Sequence, residues 1–371
     1  MVTPHAALPW LAAPLADALV RQRSHAVLVH GAAGIGALPF LLALAQAWLC
    51  EAADLPAEPA AAPAQPRPCG QCGSCRLVQA QLHPDLYVLL PEQQRQLTGW
   101  ALHSDKPDDG DSEGGKGKRK PSRQIRIDEV RAAIDWVYKT SSRGRGKVLV
   151  RHPAEALNVQ AASALLKTLE EPPAGTRLLL SAADPEHLLP TVRSRCQRLR
   201  LPLPTVEQSQ RWLAGQGVAE PDVLLAAAGG EPLAAKALAD AGIGATAWRS
   251  LPAAVARGQG AAMSGWPVPR VVDALQKLCH DAMALAAGGA PRYFPPGSVP
   301  AGAGMAAMAA LAAWHQPLAR VARHDEHPWN EGLLIDALVA QGHVALALAP
   351  APVGSAPAAR PRRPPLDTLR A

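Results

Sequence analysis

Four of the six cysteines in this 371-residue chain, Cys50, Cys69, Cys72 and Cys75, follow a C-x18-C-x2-C-x2-C pattern. Four thiolates close a tetrahedral zinc site and leave no position open for water, so the array predicts a structural zinc, not a catalytic one. The tight CGQCGSC spacing, with glycines between the thiols, is a knuckle geometry that unrelated cysteines would not share. The other two, Cys196 and Cys279, are expected to be buried as small apolar residues. A second stretch, GAAGIGALPF, places Gly31, Gly34 and Gly36 after the apolar run 26–29 and before the apolar run 38–49. Strand, glycine turn and helix in that order form a cradle whose backbone amides can hold phosphate. Such a loop works with a lysine on the terminal phosphates and a hydroxyl on magnesium, and those two positions are Ala37 and Leu38. Each lost charge-assisted contact is worth about 1.5–3 kcal/mol. The loop therefore predicts a degenerate cradle, a tight turn that no longer supports ATP hydrolysis.

The elements that must position these residues are legible from periodicity. Asn158 is a good N-cap, and Val159, Ala162, Leu165, Leu166 and Leu169 recur at helical spacing behind it, which predicts a helix to about residue 170. Pro172 and Pro173 stop it, and the leucine-rich run 177–181 predicts a central parallel strand covered on both faces. Thr191, Arg193, Ser194, Arg195 and Cys196 follow on a short polar helix or turn. Upstream, Leu8, Leu11, Leu15 and Leu19 predict an opening helix over 1–23, and residues 83–91 predict a strand in which His83 has a turn or capping role. Residues 125–140 predict a helix capped by Asp128 with Val130, Ile134 and Val137 on one face, and 147–150 predict the next strand.

The order LLKTLEEPP then SRC, at these relative positions, resembles the AAA+ clamp-loader subunits of bacterial replication. That resemblance implies an α/β fold: a P-loop-type parallel-sheet module over 1–203 with a zinc insertion at 50–75, a small helical lid over 204–245 and an all-α collar over 246–348. It implies that Arg195, within Ser194-Arg195-Cys196, is presented across a subunit boundary as an arginine finger. It also implies what is missing: Pro153 stands where the first magnesium-shell carboxylate belongs, with Glu155 nearby but out of register. Ala182 and Ala183 replace a polar nucleotide sensor, and Leu233 replaces a second sensing arginine. The implied role is a non-hydrolysing stator that lends Arg195 to a neighbouring gamma or tau ATPase subunit. It would work with the delta subunit, the sliding clamp and primer-template DNA. WNEGLLIDALV at 329–339 resembles the last collar helix, through which subunits pack in a ring.

Composition bounds the remainder. Aromatics are only 4% against 48% hydrophobic residues, so packing relies on alanine and leucine. The apolar run 38–50 is too short to span a bilayer, and the proline-broken N-terminus lacks a secretory pattern, so a cytoplasmic location is expected. Residues 103–123 are too polar to pack, and 349–371 form a Pro/Arg-rich tail; both are expected to be disordered. Two other readings compete: a divergent ATP-hydrolysing gamma/tau-type motor, and a basic zinc-containing DNA-binding module suggested by the net charge of +6.

Overall fold

The computed structural model describes residues 8–53, 67–100, 121–300, 305–324 and 329–347. The chain forms two compact units, Met1–Pro221 with Gly230–Ala241, and Asp222–Gly229 with Gly242–Ala371.

The first unit is built on five parallel strands: β1 (Ala26–His30), β2 (Leu86–Leu89), β3 (Lys147–Arg151), β4 (Thr176–Ala182) and β5 (Gln197–Arg200), in the order β2-β3-β4-β1-β5. The expected strand at 177–181 is thus central, between β3 and β1. Alternation sends Val27, Val29, Val148, Val150 and Leu179 to one face, where they pack with α1 (Ala12–Arg21) and α2 (Ala37–Leu49). Leu28, Leu149, Leu178 and Leu180 go to the other, against α5 (Ile127–Val137) and α6 (Val159–Glu170). Burial on both faces explains why these strands read as continuous apolar runs. Asn158 caps α6 as expected, its Oδ1 accepting from the Ala161 amide at 2.8 Å.

Two expectations need correction. Asp128 does not cap α5. Arg126 has the extended N-cap conformation, so the helix starts two residues earlier than an Asp128 cap would allow and Asp128 lies in the first turn, where its charge complements the helix dipole. The 103–123 insertion lies outside the described residues only as far as 120. Residues 121–123 pack against α4 (Glu92–Thr98): the Ser122 amide donates to Glu92 at 3.0 Å, and Arg123 Nε donates to Gln93 at 3.1 Å. The 1–7 part of the opening helix and the 349–371 tail lie outside the described residues.

The remaining elements are α3 (Gly73–Gln79), α7 (Pro190–Arg193), α8 (Val206–Gly215), α9 (Pro221–Ala227), α10 (Pro232–Asp240), α11 (Ala245–Ala256), α12 (Val268–Ala286), α13 (Met305–Arg323) and α14 (Glu331–Ala347). In the second unit α11 to α14 enclose Trp248, Leu278, Trp314 and Leu318. Trp248 stacks on Phe294 with ring centroids 4.8 Å apart. Among the described residues no helix is long and apolar enough to cross a membrane.

Candidate functional site

The glycine loop is a cradle that the chain fills with its own atoms. Gly36 adopts φ 98°, ψ 41°, a left-handed turn into α2 that disfavours any side chain. Gly34 has ordinary dihedrals; glycine is favoured there because an added Cβ would lie 2.7 Å from the Glu231 Cβ, which moves only with the start of α10. The Gly34 amide, an anion donor in a working loop, donates instead to the Glu231 carboxylate at 2.8 Å. Trp10 Nε1 donates to the Ile35 carbonyl at 2.7 Å, and the Trp10 ring meets Trp212 edge to face at 5.4 Å. Ala37 is buried, and Leu8, Leu11 and Leu233 close around Gly36. No charged or hydroxyl side chain stands at 37 or 38, and the residue expected to replace the second sensor, Leu233, is part of the apolar plug.

At the carboxyl end of β3, Pro153 precedes a short 3-10 turn (Ala154–Ala156), and Glu155 turns toward β4. Its Oε1 accepts from the amides of Ala183 at 2.6 Å and Asp184 at 3.2 Å, which commits this carboxylate to holding two strand ends together. His152 Nδ1 bonds Ser181 Oγ at 2.5 Å, and burial, reinforced by Arg151, pushes its pKa down to about 4. Burial lowers the Arg151 guanidinium to about 9, and its Nη1 donates to the Pro153 carbonyl. The carboxyl end of β3 thus holds a neutral imidazole and a buried cation.

The four cysteines converge. Cys50 at the end of α2, Cys69, Cys72 and Cys75 at the start of α3 bring their Sγ atoms within 4.8 Å of one another. The Cys69–Cys75 and Cys50–Cys72 sulfurs are each 3.9 Å apart. Zn–S bonds of about 2.3 Å in a tetrahedron require sulfurs about 3.8 Å apart, so the donor set fits zinc in number, chemistry and spacing. Amides of Cys72 and Cys75 donate to Cys69 and Cys72 sulfurs at 3.4 Å, which favours thiolates; Cys69 is brought down to about 6 chiefly by backbone amides of Cys72 and Gln71, while burial pushes Cys50 and Cys75 up. Among the described residues this is the one group of three or more His, Cys, Asp or Glu side chains placed to share a metal. His83 is a cap, as expected: its Nδ1 accepts from the Asp85 amide at 3.1 Å.

Ser194, Arg195 and Cys196 follow α7 on the turn into β5. Cys196 is buried in the core and its thiol is pushed up to about 12 by burial, which leaves it inert. Ser194 Oγ donates to the Thr191 carbonyl at 3.2 Å. Arg195 is 32% exposed; its Nε donates to Glu170 Oε1 at 2.6 Å and its Nη1 to the Thr191 carbonyl at 2.8 Å. The parallel pairing of β1 with β5 places Arg195 ahead of the strand starts, whereas the glycine loop leaves the other end of β1. Arg195 therefore lies at the amino ends of the strands, opposite the carboxyl ends where its own chain's cradle sits. The glycine pattern identified the cradle, the cysteine spacing the thiols, and the resemblance carried by LLKTLEEPP and SRC the arginine. Sequence reading missed Glu231 and Ser181 and named Glu155 only as a carboxylate out of register, because their partners are remote in sequence and carry no local motif.

A family profile described as DNA polymerase III, delta subunit, matches residues 14–205. A Pseudomonas aeruginosa protein named DNA polymerase III subunit delta' is 40% identical over 226 residues, covering 60% of this chain and 58% of that protein, so the match spans under two thirds of this relative. The Escherichia coli protein of the same name is 31% identical over 271 residues, covering 68% of this chain and 70% of that protein. A DNA polymerase III subunit tau of Escherichia coli is 28% identical over 189 residues, 51% of this chain and 23% of that protein.

Proposed function

We propose, for a chain that belongs to the DNA polymerase III delta prime family of AAA+ clamp-loader subunits, that it acts as a stator which hydrolyses no ATP and completes the nucleotide site of a neighbouring gamma or tau subunit with Arg195. The observation that carries this reading is the occupied cradle: the Gly34 amide is already bonded to Glu231, and Ala37 and Leu38 offer neither cation nor magnesium ligand. Arg195 lies at the opposite ends of the strands, held by a half-exposed Glu170, the Thr191 carbonyl and Ser194 Oγ at 3.4 Å, which supports its reaching a partner's phosphates. A guanidinium suits that task because charge in phosphoryl transfer spreads over several oxygens; such a finger is worth about 10³–10⁵ in rate.

The second unit serves assembly with delta and gamma or tau subunits in this reading. Helix α14 is apolar almost all round, and Leu333 and Val344 on it are 69% and 59% exposed, as expected of a helix covered by a partner. The lid over 204–245 and collar over 246–348 are assigned on the same family ground, as are action on the sliding clamp at primed DNA and a cytoplasmic location. Zinc at Cys50, Cys69, Cys72 and Cys75 is structural; it closes the loop between α2 and α3.

The test is Arg195→Ala in a loader reconstituted with its gamma or tau and delta subunits. The exposed pair with Glu170 contributes at most about 1 kcal/mol, so the variant folds and assembles. ATP turnover of the assembly falls; turnover equal to wild type overturns the finger assignment. Magnesium-dependent hydrolysis by the isolated chain would favour the motor reading. Steeply salt-dependent DNA binding without partners would favour the DNA-binding module.

A further inference from the structure

The four-thiol cluster is tied into the sheet through a polar bridge that the cysteine pattern does not contain. The Arg143 side chain reaches across 92 positions to Glu51, the residue after Cys50: its Nε donates to Glu51 Oε1 at 2.9 Å, and its Nη2 donates to the same oxygen. Nε also donates to Ser74 Oγ at 3.0 Å. Ser74 lies between Cys72 and Cys75, is buried, and completes the triangle: its Oγ donates to Glu51 Oε1 at 2.9 Å and its amide to Glu51 Oε2 at 3.4 Å. His83 Nε2 bonds the same hydroxyl at 3.1 Å.

The turn that carries Arg143 is itself fixed. Asp85, wholly buried at the start of β2, accepts from the amides of Ser142 at 2.7 Å and Arg143 at 2.8 Å and from Ser141 Oγ at 3.0 Å. Arg143 therefore projects from a backbone anchored to the sheet, so its guanidinium sets where Cys50 and the 69–75 knuckle sit relative to each other. A guanidinium meets a carboxylate and a hydroxyl from a rigid planar fork of donor nitrogens; a lysine carries its donors on one flexible ammonium and lacks that fixed geometry. Partners one shell beyond metal ligands orient those ligands, and losing one typically costs 10–100-fold in metal affinity.

We propose that Arg143 is the positioning residue of the metal site: clamped between Glu51 and Ser74, it ties Cys50 and the 69–75 knuckle to the turn entering β3 and holds the four thiolates at metal-binding spacing. This rests on the reading of the four cysteines as a zinc site, which is tested first by the zinc content of wild-type protein purified without chelators. One zinc per chain is expected; none would overturn both that reading and the bridge. With zinc present, Arg143→Ala releases it to a chromophoric chelator about 10–100-fold faster than wild type. Arg143→Lys is intermediate, and Glu51→Gln, which keeps the acceptor oxygen, shows a smaller effect in the same direction.

A merely structural arginine would destabilise metal-loaded and metal-free protein alike. A positioning one lowers the thermal midpoint of the zinc form and leaves the chelated form nearly unchanged, since coupling between two sites is reciprocal. By the same linkage, zinc removal from wild type speeds amide exchange over 141–146. Unchanged release by Arg143→Ala and Glu51→Gln in zinc-loaded protein overturns the bridge while leaving the four-thiol reading intact.

Discussion

Gly34→Ala tests whether the cradle is closed by contact with α10 or is merely narrow. Gly34 has φ −89° and ψ 18°, so alanine meets no left-handed penalty. The added Cβ would lie 2.6 Å from Glu231 Oε2, 2.7 Å from Glu231 Cβ and 3.1 Å from Ala234 Cβ. The carboxylate can swing aside; the Glu231 Cβ moves only with the start of α10. Overpacking of this kind costs about 1–3 kcal/mol, and loss of the amide–carboxylate bond adds about 1 kcal/mol at this partly buried position. Reduced freedom of the unfolded chain returns about 0.4–1 kcal/mol. The balance is about 2 kcal/mol, or roughly a 30-fold rise in local opening.

Hydrogen exchange over 31–36 and 231–240 reads that opening directly. Glu231→Gly supplies the decisive second arm, because glycine is tolerated at an N-cap and removes both of the closest clashing atoms. In that background the nearest remaining neighbour is Ala234 Cβ at 3.1 Å, so Gly34→Ala costs less. The cycle should show a coupling of at least about 1 kcal/mol. Equal costs in the two backgrounds, or α10 exchange unmoved by Gly34→Ala, would refute the idea that Glu231 closes the cradle.

In the second unit, Asp281 is wholly buried and accepts from the amides of Arg292, Tyr293 and Phe294 at 2.8–2.9 Å. Asp281→Ala orphans three donors and should cost at least about 3 kcal/mol in urea unfolding, with Asp281→Asn losing less. His152 supplies a pH dependence: unfolded, its imidazole protonates near 6.5, but folded only near 4. Acid therefore favours the unfolded chain through that window, by about 2 kcal/mol at pH 5 relative to pH 8. The difference between wild type and His152→Gln in urea midpoints at those two pH values should show that increment; a pH-independent difference would place the imidazole's titration elsewhere.

What the sequence made legible was encoded locally. The Asn158 cap, the leucine run of β4 and the cysteine spacing each state a requirement of one element, and each is met where it was read. The misses have physical causes. Strand β5, Gln-Arg-Leu-Arg, is an edge strand with three exposed residues, so it carries no apolar run, and α4, EQQRQLT, buries none of its residues. The Asp128 error came from reading a good capping residue without the backbone conformation that decides where a helix starts.

The partners of Glu231 and Glu155 were illegible for a different reason, and together they show how the chain's own carboxylates pair the amides of such a cradle. Amides at the carboxyl edge of a parallel sheet need acceptors, and an active nucleotide site meets part of that need with phosphate and metal-bound groups. With Ala37, Leu38 and Pro153 where a working site would carry a lysine, a hydroxyl and a carboxylate, those donors still have to be paired. Glu231 takes the Gly34 amide across 197 positions, and Glu155 takes those of Ala183 and Asp184. Each carboxylate supplies from within the chain the negative charge that a bound phosphate would bring. Placing a lysine and a serine at 37 and 38 therefore leaves the cradle closed, because Glu231 still takes the Gly34 amide and Leu233 still packs beside Gly36.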